Sequence, residues 1–282
     1  MNRAAVRALL ARRSLHANKD LGQNFLVDAG VAEEIVDLAG VDASCAVMEI
    51  GAGLGALTAV LARRARCVCA YEVDAGLARA LREEGDLPAT VELIHGDALR
   101  ADLGADLERM GRPVRVVSNL PYSVSSRLLR RLLDLREHLE GWLVMVQREM
   151  ALRVSAGPGS RDYGSLAVLH HLSARVERLR DVPPHAFFPE PQVTSSLLRI
   201  VPRSDTPLTP GELPEVERVV RAAFSTRRKT LVNSLRTTGW GDREALEERC
   251  ARLGVDPRAR SETLPPDFFL ALSRSLREAP IA

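Results

Sequence analysis

Lysine is almost absent from this chain. Lys19 and Lys229 are the only lysines among 39 basic residues; the rest are arginine. Because that bias runs through the whole sequence, a single arginine says less than usual about bidentate recognition. Cysteine is also scarce. Cys45, Cys67, Cys69 and Cys250 form no C-x-x-C pair and no Cys/His cluster at zinc spacing. This excludes a disulfide framework and a zinc module, and predicts free thiols in a reducing compartment. No apolar run approaches the roughly 20 residues that cross a bilayer. An excess of one charge is missing too: 39 basic and 37 acidic side chains leave a formal net charge of +2. A uniformly basic surface is therefore excluded, and any nucleic-acid site must come from local clustering.

What is present is an ordinary globular composition, 46% hydrophobic and 27% charged. A length of 282 residues suits one large and one small domain. The proline-rich stretch 202–214 (PRSDTPLTPGELP) reads as the linker, which predicts domains over 1–203 and 204–282. Before the linker, apolar runs at 45–50, 67–73, 91–95, 115–118 and 141–147 read as strands. Between them, 28–40, 56–65, 74–84 and 125–135 read as helices, the first with Asp28 as N-cap. Strands alternating with helices predict an α/β fold, a doubly wound, mostly parallel sheet covered on both faces. The runs at 166–172 and 195–201 are expected to add strands, the last antiparallel. Beyond the linker the period is helical at 215–224, 229–237, 243–253 and 267–277, which predicts a small all-α domain. The basic N-terminus is similar in composition to a transit peptide. It leads directly into a motif used below, which favours a cytoplasmic protein.

The first chemical signal is Glu49-Ile50-Gly51-Ala52-Gly53-Leu54-Gly55, a glycine-rich turn at the end of a strand. Glycines there let the backbone approach a ligand at the carboxyl edge of a doubly wound sheet. Glu72 ends the next strand, where a carboxylate can accept from both hydroxyls of a ribose. Asp97, in Gly96-Asp97-Ala98, ends the third, where a carboxylate can accept from an adenine amino group. Acids at successive strand ends point to a nucleoside-containing cofactor. A nicotinamide dinucleotide fits these three positions as well.

The fourth strand runs into Asn119-Leu120-Pro121-Tyr122. This motif resembles the signature of methyltransferases that modify exocyclic amino groups. In the form N-L-P-Y it is similar to the ribosomal RNA adenine dimethyltransferases: the KsgA/RsmA family, its eukaryotic relatives and the Erm resistance enzymes. The chemistry suits the residue types. An adenine amino group is a poor nucleophile because its lone pair is delocalised into the ring. The Asn119 side-chain oxygen and the Leu120 carbonyl could accept its two N–H bonds and aim the lone pair at a sulfonium methyl. Pro121 would hold the backbone in shape, and Tyr122 would stack on a base flipped out of its helix.

The resemblance covers almost the whole chain. Gly22-Gln23-Asn24-Phe25-Leu26 matches an N-terminal family motif and implies contacts from Gln23, Asn24 and Leu26 to the methionine end of S-adenosylmethionine. It implies a cofactor site that also takes in Glu49, Gly51, Gly53, Gly55, Glu72, Asp97, Ala98 and Asn119. Phe187-Phe188-Pro189-Glu190-Pro191-Gln192-Val193 matches F-x-P-x-P-x-V and implies Phe187 as a second stacking face beside the target base. Gln192 stands where lysine is commoner in the family, which removes a phosphate contact. Phe224 to Leu231 and Arg260 to Leu264 look like KsgA/RsmA rather than Erm. Between Arg218 and Arg236 basic residues recur with no acidic one; Arg227, Arg228 and Lys229 are the candidates for RNA phosphates.

The implied activity is dimethylation of two adjacent adenosines in the 3′-terminal hairpin of 16S rRNA, within a partly assembled 30S subunit. The implied protein is a cytoplasmic monomer using S-adenosylmethionine and no metal. Two other readings stay open at this stage: an Erm-type methylation of 23S rRNA, and an RNA-binding assembly factor whose methyl transfer is dispensable.

Overall fold

The computed structural model describes residues 2–18, 21–84, 86–226 and 228–278. They fall into two compact units, one of 1–151 with 177–202, the other of 152–176 with 203–282. Helix α1 (Arg3–Arg12) opens the chain, capped by the Asn2 side chain, which accepts from the Ala5 N–H at 2.9 Å. It buries Val6, Leu9 and Leu10 in a cluster with Phe25, Leu54 and Leu77. A short strand β1 (Phe25–Leu26) and helix α2 (Ala29–Leu38) follow, with Asp28 capping α2 as its sequence predicts.

Alternation then builds the sheet: β2 (Ala46–Ile50), α3 (Thr58–Arg64), β3 (Cys67–Glu72), α4 (Ala75–Glu84), β4 (Val91–His95), α5 (Leu103–Met110), β5 (Val114–Asn119), α6 (Ser125–Asp134) and β6 (Gly141–Gln147). After these come α7 (Arg148–Ser155), α8 (Ser165–Ser173), β7 (Ala174–Val182), β8 (Phe187–Phe188) and β9 (Ser195–Pro202). Strand β8 pairs antiparallel with β1, Leu26 opposite Phe187. The main sheet has seven strands in the order β4-β3-β2-β5-β6-β9-β7. From β4 to β6 every pairing is parallel; β9 runs antiparallel to β6, with Trp142 opposite Ile200 and Gln147 opposite Ser195. All five residues of β2 are buried, as expected of a strand covered on both faces. Helix α6 turns Leu128, Leu129, Leu132 and Leu133 inward at helical spacing.

Strand order positions the site. The chain leaves β2 in one direction through β3 and β4, then returns to pair β5 on the other side of β2. Such a reversal leaves a crevice at the carboxyl ends of the two central strands. Backbone pairing of β2 with β5 runs from Ala46–Val114 to Met48–Val116. Beyond it, the Ile50 N–H donates to the Ser118 hydroxyl at 2.8 Å, so a side chain stands in for a ladder bond.

The second unit holds α8 with α9 (Leu213–Ala223), α10 (Leu231–Thr237), α11 (Arg243–Arg252) and α12 (Pro266–Glu278). Residues 152–176, expected in the large domain, cluster with these helices. Tyr163 is the reason. Its ring meets Phe224 edge-on at 5.9 Å, and its hydroxyl donates to the Leu264 carbonyl at 3.0 Å. The run at 166–172, expected as a strand, lies inside helix α8. A short run that is apolar on all sides carries no period to separate the two states. Strand β7 was missed because it is the last strand of the sheet and reads ARVERLRDV, charged along most of its length. Among the described residues no helix is long and apolar enough to cross a membrane, and the four cysteines are unpaired.

Candidate active site

The glycine turn leaves β2 directly into the crevice. Gly51 has φ +86°, and a Cβ built there would lie 3.2 Å from both Cγ and Cδ of Pro121. The turn and the Asn119–Tyr122 segment are therefore in contact, and a side chain at Gly51 would have to press Pro121 aside. A third wall closes over both. Gly22, at φ +66°, brings residues 21–26 so near that a Cβ would lie 3.1 Å from the Tyr122 N and 3.0 Å from the Ser123 N. The three segments, with Glu49, Glu72 and Leu77, line one cavity.

Several polar groups at the crevice are held by others. The Asn119 Nδ2 donates to the Asn24 carbonyl at 3.3 Å, which leaves the side-chain oxygen as the free end. Leu120 is buried, and its N–H donates to the Met145 carbonyl at 3.0 Å. The Tyr122 and Ser195 hydroxyls are 2.5 Å apart, which fixes the tilt of the tyrosine ring. Burial raises the Tyr122 hydroxyl above its ordinary range, so it stays protonated.

The two acids in the wall differ. Glu72 is 5% exposed; one oxygen accepts from the Gly53 N–H at 2.7 Å and the other from the Asp74 N–H at 2.9 Å. Burial raises its pKa, and these backbone donors oppose the rise. Glu49 is 1% exposed and its Oε2 has no hydrogen-bond partner. Burial pushes its carboxyl up to about 8, the Thr58 hydroxyl easing the shift and the Glu72 charge adding to it. None of the described residues lining the cavity is Lys, Arg or His. Such a wall suits a ligand that carries positive charge and hydroxyl groups.

Residues 14–278 match the family described as ribosomal RNA adenine dimethylase. The chain belongs to that family. Among curated relatives, the "Ribosomal RNA small subunit methyltransferase A" of Geobacillus thermodenitrificans is 40% identical over 274 residues, 95% of this chain and 94% of the relative. The protein of the same name from Desulfitobacterium hafniense is 44% identical over 262 residues, 92% of each. Among solved structures, the 23S rRNA methyltransferase ErmE superposes with a TM-score of 0.66 at 27% identity, covering 90% of this chain and all of its own. A dimethyladenosine transferase from Plasmodium falciparum gives a TM-score of 0.75 at 24% identity, covering 90% and 98%, which speaks to the fold.

As a ribosomal RNA adenine dimethylase the chain is a methyltransferase that uses S-adenosylmethionine. The cavity fits that group: a cradle that a Cβ would crowd at Gly51, a carboxylate with lone pairs to spare at Glu72, and a buried acid with one unpartnered oxygen at Glu49. Of the residues expected here from sequence, Gln23, Asn24, Leu26, Glu49, Gly51, Gly53, Glu72, Asn119, Leu120, Pro121 and Tyr122 all line the cavity. Gln23 is already engaged: its oxygen accepts from the Asn18 N–H at 2.8 Å and its nitrogen donates to Asp74 at 3.2 Å. It works here as a strap holding residues 21–26 against the sheet.

Other expected residues lie elsewhere. Gly55 is a packing glycine, since a Cβ there would meet a Leu81 methyl at 2.5 Å. Asp97 and Ala98 follow β4 without lining the cavity. The Asp97 carboxylate accepts from the Leu99 N–H at 2.9 Å and is 39% exposed. Phe187, expected as a stacking face, is fully buried in the core with Leu26 and Leu197. The next ring, Phe188, is only half-buried, with the Arg7 guanidinium 5.5 Å from its centre. Period two on a short strand explains the difference in burial: Phe187 points into the core and Phe188 away from it. Arg228 and Lys229 are exposed, and Arg227 lies outside the described residues. Sequence reasoning missed Ser195, the Asn24 carbonyl and Arg131, whose guanidinium holds the loop after β4 through the Leu99 carbonyl at 2.9 Å. Nothing in the sequence marks them, because each acts through a partner distant in the chain.

Proposed function

We propose that this chain dimethylates the exocyclic amino groups of two adjacent adenosines in the 3′-terminal hairpin of 16S rRNA, within a partly assembled 30S subunit. The observation that carries the reading is the contact between Gly51 and Pro121, which sets Asn119 against the glycine turn. Relatives at 40% and 44% identity bear a small-subunit name, and this favours the small subunit over the 23S target named for ErmE at 27%.

S-adenosylmethionine supplies a cationic methyl group whose departure leaves a neutral thioether. The chain's own residues then have a positioning task. Glu72 accepts from ribose hydroxyls, and Gln23, Asn24 and Leu26 border the methionine end. Asp97 and Ala98, outside the cavity wall, are assigned to the adenine by the family resemblance alone. The Asn119 oxygen, oriented by the Asn24 carbonyl, accepts one N–H of the target amine. The Leu120 carbonyl accepts the other, and the lone pair is turned toward the cavity. Pro121 keeps the two acceptors in register, and Tyr122 stacks on the extruded base, an interaction of about 1–3 kcal/mol. No side chain needs to remove a proton before attack. Alignment of this kind can lower a barrier by roughly 7–11 kcal/mol at most.

Arg227, Arg228 and Lys229 in the helical unit contact RNA phosphates. The protein acts in the cytoplasm, as a monomer, with no metal. The test is transfer of labelled methyl groups to unmethylated 30S particles, followed by nucleoside analysis. Dimethyladenosine in 16S rRNA is the expected product. Label in 23S rRNA, or none on adenine, overturns the reading.

A further inference from the structure

The proposed reaction leaves one buried group unused. Glu49 is the penultimate residue of β2, with its side chain in the cavity wall, 1% exposed, and its Oε2 has no partner among the described residues. A buried carboxyl oxygen with no protein partner is unfavourable unless something else completes it. The contrast with Glu72 is informative. Both acids line one cavity, but Glu72 accepts two backbone N–H bonds that favour its charged form against burial, whereas Glu49 accepts none among the described residues. Two carboxyls whose surroundings push them apart tend to have different tasks.

Few groups act on Glu49. From β3 comes the Glu72 carboxylate, with Asp74 behind it on the far side of its hydrogen bond. From α3 comes only the Thr58 hydroxyl. Strand β5 contributes Ser118, which is occupied by the Ile50 N–H, and Asn119; residues 21–26 contribute the amides of Gln23 and Asn24. No described lining residue is basic, so the wall holds no internal counter-charge. A neutral ligand leaves this imbalance as it is; a cation relieves it.

We propose that Glu49 is a proton-coupled counter-charge, giving up its proton when a cation enters the cavity, so that the site prefers the sulfonium donor over the neutral thioether product. This rests on the reading of the cavity as the S-adenosylmethionine site and adds how that site tells donor from spent product. The balance is simple. The proton on the Glu49 carboxyl passes to the buffer, the carboxylate remains, and no bond to the ligand forms. When the sulfonium becomes a thioether, the attraction falls and Glu49 takes a proton back, which favours exchange of product for fresh donor before a second methyl transfer.

The binding of S-adenosylmethionine and of S-adenosylhomocysteine is to be measured by calorimetry on the full chain. Buffers of differing ionisation enthalpy at pH 6, 7 and 8 then give the protons exchanged. The wild type is expected to release a large fraction of one proton with the donor at pH 7, and much less with the product. Its donor affinity should weaken by up to about tenfold per pH unit below pH 8. Glu49→Gln, checked for a native melting profile, should lose that release and most of its preference for donor over product. Protons from the ligand's own amino group persist in the variant and so are subtracted. Equal release with donor and product in the wild type overturns the proposal without needing the variant, while tight donor binding keeps the cofactor site. Failure of either ligand to bind overturns both.

Discussion

The Tyr122 hydroxyl lies 2.5 Å from the Ser195 Oγ, and this contact ties the loop after β5 to the antiparallel strand β9. Ser195 is fully buried, so the tyrosine ring is anchored at its far end while its faces stay free of that bond. Tyr122→Phe and Ser195→Ala should each lower the methylation rate several-fold, in line with about 0.5–1.5 kcal/mol for one net hydrogen bond. The double variant should cost little more than either single one, because both remove the same bond. Tyr122→Ala should cost more, through lost stacking of about 1–3 kcal/mol. Single-turnover rates on unmethylated 30S particles provide the measurement, and additive losses in the double variant would contradict the coupling.

Asn119 carries the second prediction. Its amide nitrogen is committed to the Asn24 carbonyl at 3.3 Å, which leaves its oxygen as the free end. Asn119→Ala should reduce methylation greatly while RNA affinity is largely kept. Asn119→Asp should rescue little. A carboxylate has an acceptor but no donor for the Asn24 carbonyl, so two oxygens would face each other there. Equal loss of binding and rate in Asn119→Ala would contradict the assigned role.

Much of this arrangement is legible in the sequence, for identifiable reasons. Strands such as β2 and β6 are buried on both faces, so they read as unbroken apolar runs. The site residues sit at strand ends, where motif and period coincide. What escaped depends on partners far along the chain. Ser195 is 73 residues from Tyr122, and Tyr163 reaches Leu264 across 101 residues, drawing 152–176 into the helical unit. The resemblance singles out Phe187 as the stacking ring; that Phe187 is buried and Phe188 half-buried depends on the pairing of β8 with β1, which the sequence does not display.

A contrast of two glycines separates backbone strain from contact. Gly51 at φ +86° and Gly159 at φ +83° have nearly the same conformation. A Cβ at Gly51 meets Pro121 at 3.2 Å, whereas one at Gly159 meets nothing within 4 Å. Alanine at either position should destabilise by about 1–2 kcal/mol. Only Gly51→Ala should also press on Pro121, shift the two amine acceptors and lower the rate by about a hundredfold, the scale of a small misplacement. Urea unfolding and methylation assays on both variants decide it; equal activity in the two would mean that the Gly51–Pro121 contact is not part of the catalytic geometry.

The helical unit holds an acid-labile tie. Arg274 donates to both oxygens of Glu212, at 2.7 and 2.8 Å, and to the Pro207 carbonyl at 2.8 Å. It thereby pins residues that read in sequence as a linker. The Arg274 guanidinium is the main cause holding the Glu212 carboxyl at about 2, below its ordinary 4.5. A depressed carboxyl contributes stability that is complete above pH 4.5 and is lost as pH falls toward 2. Arg274→Ala should destabilise the unit by about 1–3 kcal/mol at pH 7, since the arginine is partly exposed. Urea midpoints of wild type and variant should converge near pH 2; a gap that persists there would assign the effect to packing.

Salt dependence tests the RNA surface. Arg228 and Lys229 are exposed at the turn before α10, in a stretch without acidic residues. If each neutralises one phosphate, Arg228→Ala and Lys229→Ala should each weaken binding to every RNA sequence alike. Each should also reduce the slope of log affinity against log salt by about 0.7–0.9. A side chain that only solvates a helix face changes neither. Affinity of the two variants for unmethylated 30S particles, measured across a range of potassium chloride, separates the two cases. The methylation rate at saturating particle concentration should stay close to wild type, because neither residue lines the cavity where Asn119 and Glu72 stand. A fall in that rate with the slope unchanged would mean that these two residues act on the chemistry rather than on the phosphates.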